Sequence, residues 1–84
     1  MRDVLVEDYE PFVWLVAVGR QFSKVPIWPP PGDMMLVAAC RPPVDADSQA
    51  VYVLETEEDV DRVIEVHPGW IIIFSNVLKT HIPD

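Results

Sequence analysis

The chain has 84 residues, half of them hydrophobic, with 14 acidic side chains against 6 basic ones and a net charge of -8. That length predicts one domain, spanning residues 1–84, with a modest core, and the hydrophobic share lies well above that of chains that stay disordered. The negative field repels phosphate backbones and anionic membrane surfaces, so direct nucleic-acid or membrane binding is not expected, whereas encounter with a basic protein surface is favoured.

At the N-terminus, Met1-Arg2-Asp3 lacks the basic start and long apolar stretch of a secretory signal. The longest unbroken apolar run, Phe12 to Val18, is too short to span a bilayer. A cytoplasmic location, in a cell or an infected host, is therefore the expectation. Phe12 to Val18 has the length and branching of a buried strand, while Pro11 also suits the first turn of a helix, so residues 11–22 stay open between the two, with strand preferred. Gly19 to Lys24 then reads as a turn. In Trp28-Pro29-Pro30-Pro31-Gly32 three prolines remove successive donors and favour an extended conformation, which predicts a stiff surface connector.

Met34 to Cys40 is a β-rich run expected to pair antiparallel with residues 51–55 across the polar loop Pro42 to Gln49. Cys40 is the only cysteine, which excludes an intramolecular disulfide framework and a multi-cysteine metal site; its apolar setting reads as a small buried residue.

The most readable part of the chain follows. Val51 to Leu54 is β-rich, Thr56 to Gly69 carries a helix signal, and Trp70 to Phe74 is β-rich again, making a β-α-β unit. Thr56 suits the N-cap, Glu57, Glu58 and Asp59 favour the first turn through the helix dipole, and His67-Pro68-Gly69 ends the helix. Asp59 stands where a capping box has Glu or Gln. Val60, Val63, Ile64 and His67 form an apolar stripe, while Glu57, Asp61 and Glu65 recur every four residues on the other side. Glu58 has Arg62 at i,i+4, whereas the Glu57, Asp61, Glu65 column has no such partner and repels itself slightly. Both flanking strands are apolar on both faces, as suits central strands joined by a parallel crossover. Ser75-Asn76 reads as a turn before a short edge strand at residues 77–82. The expected fold is α+β: a small single-domain mixed β-sheet with a C-terminal β-α-β unit and one acidic amphipathic helix.

No segment carries a reaction signature. His67 and His81 lie far apart with no metal-ligand spacing, and His67 is better placed to meet carbonyls at the helix C-terminus. Asp45-Ala46-Asp47 begins like a calcium loop, but Ala50 replaces the required glycine and Thr56 the bidentate glutamate. Ser23, Ser48 and Ser75 occur without a nucleophile turn, and there is no glycine-rich phosphate loop. Neither enzyme activity nor a metal or cofactor is expected.

What remains is charge. Residues 45–65 contain eight acidic side chains and one basic one. Glu57, Glu58, Asp61 and Glu65 form the candidate binding face, with Asp45 and Asp47 nearby and Trp28, on its stiff connector, as a hydrophobic anchor. Trp14 and Trp70 lie in apolar runs and read as structural. Carboxylates one helical turn apart are about 5–6 Å apart at Cβ, close to adjacent phosphate spacing, so a nucleic-acid-mimicking row is one form the face could take. The sequence thus points to a non-enzymatic interaction module, an inhibitor or regulatory factor that docks on the basic, in one variant nucleic-acid-binding, surface of a partner protein. The alternatives are a self-associating structural domain, forming a homo-oligomer, and a small-ligand-binding or catalytic domain.

Overall fold

The computed structural model describes residues 1–3, 22–44 and 47–82. Within them lie strands β1 (Arg2–Asp3), β2 (Phe22–Ser23), β3 (Met34–Arg41), β4 (Ala50–Leu54) and β5 (Ile71–Leu78), helix α1 (Glu57–Val66), and a 3-10 turn at Lys79–His81. The architecture is α+β. The expectations for residues 11–21, including the strand-or-helix choice and Trp14, lie outside the described residues, as does Asp45.

β3 is the middle of the sheet because its side chains are apolar on both faces. Leu36, Val37, Ala38, Ala39 and Cys40 are all buried to 1 % exposure or less. The strand order is β1-β4-β3-β5-β2, and every pairing among the described residues is antiparallel. The expected antiparallel pairing of residues 34–40 with 51–55 is present, with Val37 opposite Val53 and Cys40 opposite Ala50.

The mixed sheet is corrected by this order, since every pairing among the described residues is antiparallel. β4 and β5 do run in the same direction and α1 does connect them, but β3 lies between them and pairs antiparallel with each. The reason is that β3 offers two apolar faces and two free edges; inserting it satisfies the ladders of both neighbours.

Two local expectations also give way to pairing. Ser75-Asn76 does not turn the chain: Val37 lies opposite Ser75 and Leu36 opposite Asn76, so β5 runs on to Leu78 and the expected edge strand becomes its end plus the 3-10 turn. Phe22-Ser23, expected within a turn, pairs with Ser75 and Phe74 as β2. Turn propensity is a weak preference, and a row of ladder hydrogen bonds outweighs it. The proline-rich stretch is a connector without regular structure, closed by a bond from the Met34 N–H to the Pro31 carbonyl at 2.8 Å.

The alternation along β3 divides the core in two. Val37, Ala39, Val51, Val53, Ile73 and Val77 pack together with Ile82 on one face of the sheet. On the other, Leu36, Ala38, Cys40, Leu54 and Phe74 pack with Val63 of α1. A ten-residue helix rich in β-branched residues is marginal on its own, so burial of Val63, worth about 2 kcal/mol, and the packing of Val60 decide where α1 forms. The helix ends at Val66 with His67 as its C-cap, and a turn closed by the Trp70 N–H on the His67 carbonyl at 3.2 Å leads to β5, with Gly69 at φ +80°, a left-handed conformation that disfavours any Cβ.

Candidate functional site

Glu57, Glu58, Asp61 and Glu65 are all exposed on α1. At about 100° per residue, Glu57, Asp61 and Glu65 trace a strip turned away from Val63, and Glu58 stands beside it. None of the four forms an ion pair among the described residues. The expected Glu58–Arg62 pair is replaced: the Arg62 guanidinium turns to Asp59, with Nη1 3.7 Å from Oδ1. The one basic residue of the helix is thereby directed toward an acid at the edge of the core.

The other expected site residues are placed differently. Asp47 is exposed in the loop between β3 and β4. That loop lies at the end of the sheet where Arg41 faces Ile71, the end at which α1 finishes, so Asp47 belongs on the Glu65 side of the helix. Trp28 is half-buried and packs against the helix-side core cluster. The indole thus covers the edge of that core while staying partly exposed.

Asp59 is the residue whose role the sequence understated. It is only 2 % exposed. Its Oδ2 accepts the backbone N–H groups of Glu55 at 2.9 Å and Thr56 at 3.0 Å. The α-ammonium of Met1 lies 3.0 Å from the same oxygen. Burial pushes this carboxyl up, but the hydrogen bond from the Met1 ammonium, the two backbone donors and the ammonium's charge outweigh burial and hold it at about 2, against an ordinary 3.8. Asp59 thus performs the N3 part of a capping box despite having one methylene fewer than Glu, and it is an anchor rather than part of the docking face.

The C-terminal end of α1 is pinned by aromatic groups. The Tyr52 hydroxyl and His67 Nε2 are 2.8 Å apart, and the His67 ring centroid is 4.1 Å from that of Trp70. The His67 ring therefore engages Tyr52 instead of the last helical carbonyls, while its backbone N–H caps the helix on Val63 O at 3.3 Å. This joins β4, α1 and β5. Burial raises the Tyr52 phenol above its ordinary value, with the charge of Asp3 and then Cys40 adding to the effect, so the phenol keeps its proton at neutral pH. Cys40 is fully buried, and burial pushes its thiol up to about 12. A thiol in that state is not a nucleophile.

One wall of the apolar stripe departs from expectation. Ile64 is 49 % exposed and, instead of facing the core like Val63, lines a groove of about 420 Å³ with Lys24, Trp70, Ile71, Ile72 and Phe74. A single helix is about 10 Å wide and covers about two strands spaced at about 4.8 Å. Among the described residues α1 packs chiefly on β4, so within them the helix-side surface of β5 beside Ile64 is only partly covered.

Among the described residues, no group of three His, Cys, Asp or Glu side chains is arranged to hold a metal ion. No helix among them is long and apolar enough to cross a membrane. No protein-family model, curated protein or solved structure gives a significant match to this chain.

Proposed function

We propose that this chain is a non-enzymatic interaction module that docks the acidic face of α1 onto a basic surface of a partner protein in the cytoplasm, acting as an inhibitor or regulatory factor. The observation that carries the reading is the set Glu57, Glu58, Asp61 and Glu65, exposed on one helix and without an ion pair among the described residues. Like charges one turn apart cost a helix a few tenths of a kcal/mol per pair, and the only basic residue of α1 is turned to Asp59. A face so arranged offers its charge to an external cation instead of neutralising it internally. The anchoring of α1 at both ends supports the same reading, since a preordered helix loses little entropy on docking.

The test compares the wild-type chain with one carrying Glu57→Lys, Glu58→Lys, Asp61→Lys and Glu65→Lys. Capture of a basic partner from native lysate at low salt, identified by mass spectrometry and followed by affinity measurement with the purified partner, should be lost in the variant. Because all four side chains are exposed, its circular dichroism should match the wild type. Unchanged affinity for the same partner would sink the assignment of the acidic face.

A further inference from the structure

We propose that the groove between α1 and β5 seats a basic amphipathic segment of the partner, with an apolar side chain against Ile64, Trp70 and Phe74 and Lys or Arg side chains reaching Glu57 and Asp61. This rests on the acidic-face reading and names the chemistry of what that face binds. The groove is apolar on its floor and on the α1 wall, and its volume of about 420 Å³ falls in the range of sites that hold a ligand group. Isolated exposed apolar residues are ordinary on any surface. Ile64, Trp70 and Ile72, however, line one concavity, which can cover a single apolar side chain of a partner on more than one side.

Charge complementarity selects the occupant. On a helix turning about 100° per residue, Ile64 lies within about 20° of Glu57 and about 60° of Asp61, while Glu58 lies about 120° away. The wall formed by Ile64 is therefore bordered by carboxylates that have no ion-pair partner among the described residues. A second copy of this chain would bring another net charge of -8 to that border, and nucleic acid would bring phosphates, so both are repelled. A segment with cationic and apolar faces satisfies both features at once. Lys24, on the groove lining, disfavours a second cation beside it and so directs the basic side of the segment toward α1.

Trp70 is well suited to the contact wall. It is half-buried and backed by the His67 ring, which Tyr52 in turn holds, so its indole is fixed before anything docks.

The test uses a synthetic helical peptide with Leu at i, i+3, i+4 and i+7 and Lys on its other face, titrated by calorimetry against the full chain. Its counterpart with Glu for Lys is the control. The decisive variant is Ile64→Asp, which adds negative charge while removing the apolar wall. Seating in the groove predicts that Ile64→Asp weakens the Lys peptide at least fivefold, that Asp61→Asn weakens it more than Glu58→Gln, and that amide shifts on binding centre on Ile64, Trp70 and Phe74. Tighter or unchanged binding to Ile64→Asp would overturn the groove; if the four-site charge reversal still abolished binding, the acidic-face reading would stand without it. Equal binding of the Glu peptide, or no binding of the Lys peptide to the wild type, would also overturn the proposal. Ile64→Ala, milder at this half-exposed position, should show the same direction and guards against misfolding of the Asp variant.

Discussion

The backbone N–H of Thr56 donates to Oδ2 of Asp59 at 3.0 Å, closing the first turn of α1 onto a carboxylate that is almost wholly buried. The same oxygen holds the Glu55 N–H and faces the Met1 ammonium. Asp59→Ala leaves these donors without their acceptor. Leaving a buried donor unsatisfied costs about 1–3 kcal/mol, so we expect a loss of about 2–3 kcal/mol, measured by urea unfolding. A change below about 0.5 kcal/mol would show that α1 does not depend on this anchor.

Acid should expose the same anchor. The folded carboxyl of Asp59 is held at about 2, below its ordinary 3.8. The stabilisation is therefore present well above the unfolded value of 3.8 and is lost as pH falls from there through the folded value of about 2, because the unfolded chain binds the proton first. Stability of the wild type should fall across that window more steeply than that of Asp59→Asn. Parallel curves would contradict the assignment.

Tyr52→Phe removes the hydroxyl that meets His67 Nε2 at 2.8 Å without changing the packing of the ring. The expected cost is about 1 kcal/mol, the usual net value of a partly buried hydrogen bond. Nitrogen chemical shifts of the His67 imidazole should move in the variant. If they stay put, the Tyr52 contact does not hold the ring.

Asp61→Lys places a cation between Glu57 and Glu65 in the acidic column. Two repulsive i,i+4 pairs become attractive, so the folded chain should gain a few tenths of a kcal/mol up to about 1 kcal/mol. The same substitution should weaken partner binding. Greater stability with weaker binding is the pattern of a side chain kept for its interaction; lower stability would mean that Asp61 supports the fold.

Cys40 is fully buried and its thiol is pushed up to about 12, so native protein should resist alkylation at pH 8 and react only when unfolded. Mass spectrometry after pulse labelling along a urea gradient should give a reactivity midpoint that coincides with the unfolding curve. Labelling well before unfolding would reveal local opening of β3.

The legible parts of the fold were those governed by neighbours in the chain. Thr56, the acidic first turn and the His67-Pro68-Gly69 stop delimit α1 because caps, dipole and helix-breaking backbone act within about one turn. The placement of Glu57, Asp61 and Glu65 on the exposed strip follows from helical periodicity alone. Ile64 was misread for a related reason: periodicity gives its angle on the helix, but whether that angle meets β5 or solvent depends on where α1 rests on the sheet.

The sequence by itself determined the α+β composition, the bounds of α1, the ends nearest α1 of the two strands that flank it, and the concentration of negative charge along one helix. Only the tertiary structure decided that β3 lies between β4 and β5, that Ser75 and Asn76 continue a strand, that Trp28 packs on the core, and that Asp59 is an anchor. The physical reason is the range of the forces concerned. Caps and periodicity are set within a few residues, whereas strand order and burial depend on which apolar surfaces and unpaired backbone edges meet across the whole chain, and several strands here carry equally apolar faces.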